Sequence, residues 1–175
     1  MPSTLVLTVI GPDQPGLVES LSATVAEQGG SWESSRMARL AGQFAGILEV
    51  ALPGENVDGL KAALARLESR GLRVQIESAG ADAEWPTSRL LRLDLVGQDR
   101  PGIVREISGV LAAAGVNVVE LSTECASAPM SGEMLFTATA RLQAPSEQLI
   151  EGLRDRLETL ADELMVDVTL EDATD

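Results

Sequence analysis

Two short segments carry the residues with the clearest chemistry. Gly11-Pro12-Asp13-Gln14-Pro15-Gly16 and Gly97-Gln98-Asp99-Arg100-Pro101-Gly102 share the pattern Gly-x-Asp-x-Pro-Gly. Each follows an apolar, strand-like run and precedes an amphipathic one. A loop at such a junction exposes the first N–H groups of a helix, where the helix dipole favours an anion such as a carboxylate. Gly16 and Gly102 carry no side chain, so a ligand could approach the backbone closely. Asp13 and Asp99 could accept a hydrogen bond from an ammonium group. Together these features suit a free amino acid, with its carboxylate on the amides and its ammonium on the aspartate. Asp, Pro and Gly at a strand–helix junction are also ordinary turn and capping residues, and the residues alone leave both readings open.

Composition removes most other chemistries. The 175 residues include no His and a single Cys. Ser-His-Asp catalysis, Cys-His catalysis and imidazole or thiolate zinc sites are therefore excluded, and no metal or cofactor is expected. Catalysis by the chain itself is not expected. Lys61 is the only lysine, and Leu17 and Val18 stand where a Walker A loop needs Lys and Ser/Thr. Cys125 is in phase with Val119, Leu121 and Thr123 and reads as a buried, inert thiol. The net charge of −14 opposes direct contact with nucleic acid, which needs clustered Lys and Arg. The acidic residues of 158–163 and 171–175 lack calcium-loop spacing and read as solvated surface. No apolar run approaches a membrane span, and the run Leu5–Ile10 is too short for a secretory signal, so a cytoplasmic protein is expected.

The elements that must position the two loops are themselves repeated. Leu5–Gly29 overlies Leu91–Gly115 without a gap, and ten of the 25 positions are identical. Leu91, Leu93 and Leu95 alternate with polar residues, the period of a half-buried strand. Val6 and Ile10 make the second face of the first copy apolar, which reads as a covered face. Helices follow, with Pro15 and Pro101 expected in the first helical turn. Their stripes are Leu17, Val18, Leu21 and Val25, and Ile103, Val104, Ile107 and Leu111, closed by Gly29 and Gly115. Two strands come next, 31–40 and 43–52, then 117–126 and 133–142, the second pair joined by a Ser-Ala-Pro-Met-Ser-Gly turn. Asn56 is the expected N-cap of a second helix with the stripe Leu60, Ala63, Leu64 and Leu67. In the second copy the stripe is Leu149, Leu153, Leu157, Leu160 and Leu164. Short strands at 73–77 and 165–170 close the halves. The order β-α-β-β-α-β, twice, gives an α+β fold of two tandem ferredoxin-like units, each a four-stranded antiparallel sheet with two helices on one face. The expected division is 1–78, a linker at 79–88 holding Trp85, 89–171, and an acidic tail at 172–175.

The Gly-x-Asp-x-Pro-Gly loop in a βαββαβ unit resembles the ACT domain, a regulatory module that commonly binds amino acids. The strings Ser34–Val50 (SSRMARLAGQFAGILEV) and Val116–Ala140 (VNVVELSTECASAPMSGEMLFTATA) are similar to the glycine cleavage system transcriptional repressor family, which consists of tandem ACT domains. The resemblance implies a protein that binds a DNA-binding activator and releases it when glycine is plentiful. An alternative role for ACT modules is the regulatory subunit of an amino-acid metabolic enzyme. Carrying the ligand loop over gives Asp13, Gln14, Pro15, Gly16 and Leu17, and Asp99, Arg100, Pro101, Gly102 and Ile103. Asn117 matches a further ligand position, and Ser31 stands there in the first copy. The resemblance also implies a small amino-acid effector, glycine first, and a homodimer.

Overall fold

The computed structural model describes residues 2–80, 89–128, 132–145 and 147–173. The chain divides into two compact units, Met1–Ala83 and Glu84–Asp175. The first unit runs β1 (Pro2–Pro12), α1 (Leu17–Glu27), β2 (Ser31–Leu40), β3 (Gln43–Pro53), α2 (Val57–Ala65) and β4 (Arg73–Ser78). The second runs β5 (Arg89–Gln98), α3 (Ile103–Ala113), β6 (Asn117–Ser127), β7 (Met134–Ala144), α4 (Glu147–Leu164) and β8 (Val166–Asp172). Each forms one antiparallel sheet, in the orders β2-β3-β1-β4 and β6-β7-β5-β8. The expected double βαββαβ fold is present. Residues 81–88 of the expected linker at 79–88, with Trp85, residues 129–131 of the turn before β7, and residues 174–175 of the expected tail lie outside the described residues.

Alternation and helical stripes assemble a separate aliphatic core in each unit. Leu5, Leu7 and Val9 of β1 meet Leu17, Leu21 and Val25 of α1, together with Leu60, Leu64 and Leu67. In the second unit Leu91, Leu93 and Leu95 meet Ile103, Ile107 and Leu111, with Leu153, Leu157 and Leu164 of α4. Ile150 joins this core although the expected stripe omitted it; the side chain of Leu149 is not among the described ones. Trp32 and Phe44 pack against the first core. Each fully buried leucine contributes about 1.5–3 kcal/mol relative to exposure. On the second face of the first sheet, Ile10 of β1 is 39% exposed and Ile47 of β3 is 50% exposed.

Three local expectations are corrected. Pro15 and Pro101 precede the helices, which begin at Leu17 and Ile103. Gly16 and Gly102 take the N-cap position with φ of +89° and +100°, and a Pro-Gly pair with the glycine left-handed is turn geometry. Asn56 does not cap α2. It ends a 3₁₀ turn, Gly54–Asn56, and its Nδ2 donates to the Gln28 carbonyl oxygen at 2.9 Å, tying the end of α1 to the start of α2. Asp172, expected in the tail, is the last residue of β8, with Oδ1 and Oδ2 each 2.6 Å from Arg89 Nη2.

One device recurs without any sequence signal. The β2–β3 register shifts between Trp32 and Ser34, and the β6–β7 register shifts between Val118 and Glu120. These bulges fall at equivalent places in the two copies and raise the local twist of each outer strand.

Candidate functional site

The loop of the first unit connects the end of β1 to the start of α1. Its first glycine is there for packing. A β-carbon on Gly11 would collide with the Gly71 carbonyl oxygen, and one on Gly97 would collide with the Val166 side chain. The last glycine is there for conformation: nothing lies within 4 Å of a β-carbon built on Gly16, but its φ of +89° disfavours any L side chain. Because the N-cap is a glycine, neither helix start receives a side-chain cap. The opening N–H groups of α1 and α3 are therefore left to other partners.

Asp13 meets the tip of the β2–β3 hairpin. Ala41 and Gly42 both have positive φ, +48° and +78°, the signature of a tight hairpin turn. Gly42 accepts a hydrogen bond from the Asp13 N–H at 2.9 Å. This contact sets Arg39 Nε 2.6 Å from Asp13 Oδ2. The carboxylate expected to receive an ammonium is thus already paired, and a ligand ammonium would have to displace Arg39.

The opposite side of the first loop is open. Gln14 Nε2 donates to the Arg70 carbonyl oxygen at 2.9 Å, and Arg70 Nη1 donates to Ser20 Oγ at 3.0 Å. A cavity of about 280 Å³ lies there, lined by Gln14, Pro15, Gly16, Leu17, Ser20 and Arg70, among others. Among the described residues, Arg70 has no carboxylate partner. A guanidinium beside the opening N–H groups of a helix is chemistry for a carboxylate. Nothing in the local pattern marked Arg70, because it comes from the turn before β4.

The second loop has the same backbone and different neighbours. The Asp99 N–H donates to the Met134 carbonyl oxygen at 2.9 Å. Asp99 faces Cys125, which replaces Arg39 at the equivalent strand position. Cys125 is exposed, correcting the expectation of a buried thiol. Partial desolvation, then the charge of Asp99 and a hydrogen bond to it, hold the thiol above its ordinary range. The reason for the exposure is that β6 is the outer strand, open along its whole length. Arg100 Nη2 lies 3.3 and 3.2 Å from the two carboxylate oxygens of Glu106, while Arg100 Nε is buried with no hydrogen-bond partner.

Ser31 and Asn117 do not join these loops within a unit. Ser31 pairs with Ala51, which pairs with Thr4, whereas the loop follows Pro12. Asn117 pairs with Gln143, which pairs with Leu90, whereas the second loop follows Gln98. Eight residues of strand separate them, about 26 Å at the usual rise. Among the described residues, no group of three or more His, Cys, Asp or Glu could hold a metal ion. No helix among them is long and apolar enough to cross a membrane.

A four-stranded antiparallel sheet backed by two helices, with a glycine loop between first strand and first helix, recurs in each unit. Residues 3–77 and 92–161 each match a family model described as the ACT domain. The chain belongs to the ACT-domain proteins, as a tandem pair, and its role is regulatory. A crystal structure described as an unknown protein from Galdieria sulphuraria aligns at 32% identity over 99% of this chain and 100% of that one, with a TM-score of 0.85. Another, described as a candidate glycine cleavage system transcriptional repressor, aligns at 17% identity over 100% of this chain and 99% of that one. Its TM-score is 0.73, a likeness of fold. No curated protein matches the sequence.

Proposed function

We propose that the chain is a non-enzymatic, amino-acid-responsive regulator that acts through a protein partner. The observation that carries this reading is the cavity at the first loop, where a guanidinium with no carboxylate partner among the described residues stands beside uncapped helix N–H groups. An amino acid would enter with its carboxylate toward Arg70. Glycine is the first effector to test, because the tandem fold aligns end to end with a protein described as a candidate glycine cleavage system transcriptional repressor. On this reading the partner is a DNA-binding activator, and the chain itself, at −14, does not contact nucleic acid. Opposite charge on a basic partner would raise the association rate. The working form is a cytoplasmic homodimer. Amino acid switches the complex only by binding the free protein more tightly than the complexed one.

Affinity capture from native lysate, with and without glycine, tests this reading. The expected catch is a DNA-binding protein that is released by the effector. Capture of an amino-acid metabolic enzyme would replace the reading with that of an enzyme's regulatory subunit.

A further inference from the structure

The two loops share glycine, aspartate and proline, yet their surroundings exchange roles. Ser20 on α1 corresponds to Glu106 on α3, and Gln14 corresponds to Arg100. Gly71 and Met165 both have positive φ, +87° and +54°, just before the last strand of each unit. Arg70 therefore corresponds to Leu164, which is a buried core residue. The first loop has a guanidinium without a carboxylate, and a cavity in front of it. Glu19, in the first turn of α1, does not line that cavity. The second loop carries its guanidinium within itself, already held by Glu106. Oε1 of Glu106 lies 3.5 Å from the point a β-carbon on Gly102 would take, so the carboxylate folds back over the turn that opens α3.

We propose that the second loop is self-occupied: the Glu106 carboxylate, held by Arg100, stands where the first loop leaves room for the carboxylate of an amino acid. The chain then binds one amino acid, at Arg70, and not two. This inference rests on the reading of the loop as an amino-acid site. Three physical terms favour the internal carboxylate. It sits at a helix N-terminus, where negative charge is stabilised. It contacts the Arg100 guanidinium at 3.3 and 3.2 Å, in a pair whose Nε is buried while the two side chains stay 40% and 42% exposed. It is also tethered, which presents it at an effective concentration on the order of millimolar or more.

Calorimetric titration of the full chain with glycine, then with the other proteinogenic amino acids, tests this. The wild type is expected to bind one molecule per chain. R70Q should weaken that binding about tenfold or more. E106S, which gives the second loop the residue of the first, should raise the stoichiometry to two, and E106Q should do the same if charge is what closes the loop. Far-UV circular dichroism of each variant establishes that it is folded. Two molecules bound to the wild type, or one bound to both E106S and E106Q, would overturn the self-occupied loop and leave the amino-acid reading standing. Unchanged affinity in R70Q would overturn the role of Arg70. No binding to wild type or variants by any amino acid would overturn the amino-acid reading itself.

Discussion

Asp13 and Asp99 hold the same place in their loops and meet different neighbours. Asp13 is neutralised by Arg39, whereas Asp99 faces a thiol. The second arrangement makes Cys125 a reporter of the Asp99 charge. In D99N the thiol loses an anionic neighbour, its pKa falls back toward the ordinary range, and more thiolate is present at pH 8. Alkylation of Cys125 by iodoacetamide should therefore be faster in D99N than in wild type. An unchanged rate would mean that Asp99 does not act on the thiol.

A second carboxylate carries a pH dependence. Arg92 Nε lies 2.6 Å from Asp94 Oδ2, and Thr139 Oγ1 donates to Asp94 Oδ1 at 2.8 Å. The Arg92 hydrogen bond, helped by that of Thr139 and opposed by partial desolvation, holds Asp94 below the ordinary carboxylate range. A lowered folded-state pKa adds stability above the unfolded value, about 3.9, and that stability is lost as pH falls through the folded one. Thermal unfolding should show wild type more stable than D94N at pH 6, with the gap closing below about pH 4. The gain is small, because the pair is partly solvated. A gap that stayed constant down to pH 2.5 would contradict this linkage.

At the scale of elements, one side-chain hydrogen bond ties the end of α1 to the start of α2. Asn56 reaches across 28 residues of sequence to the Gln28 carbonyl. Gln28 follows the last residue of α1, where carbonyls have no intrahelical partner. Asn56→Ala leaves that carbonyl unsatisfied in a partly buried place and should cost about 1 kcal/mol. For a unit of this size that lowers the melting temperature by about 4–8 °C, which calorimetric scanning would detect. An unchanged transition would show that water replaces the amide without loss. The sequence offered Asn56 as an N-cap, a sound local reading, because asparagine before an apolar stripe is the usual signal. The structure overrides it because the chain enters α2 through a 3₁₀ turn, with Asn56 already helical at φ −94° and ψ −5°.

For the whole molecule, the two copies carry separate core clusters that share no residue among the described ones. Leu7 is fully buried in the first, and Leu93 is its counterpart in the second. Leu7→Ala should cost about 2–5 kcal/mol, and the loss should fall on one unit. Hydrogen exchange read by mass spectrometry should show protection falling in residues 2–78 and persisting in 89–172. Equal loss in both would mean that the two units unfold as a single cooperative block.

The fold was legible in the sequence because its determinants are local. Alternation in Leu91–Leu95, the stripes of Leu60–Leu67 and Leu153–Leu164, and the glycines that close α1 and α3 act over one or two turns of chain. A duplicated loop marked the place to look for a ligand. What separates one loop from the other is not local. Arg70 reaches the first loop across 50 to 56 residues, through Ser20 and Gln14. Its counterpart Leu164 turns into a core. Ser31 and Asn117 seemed to belong with the loops by motif, yet antiparallel pairing carries them to the far end of each sheet. The sequence by itself determined two tandem βαββαβ units and the position of two candidate loops. Only the tertiary structure decided which loop is open, because cavity and charge there are set by side chains brought together from strands and turns far apart in the chain.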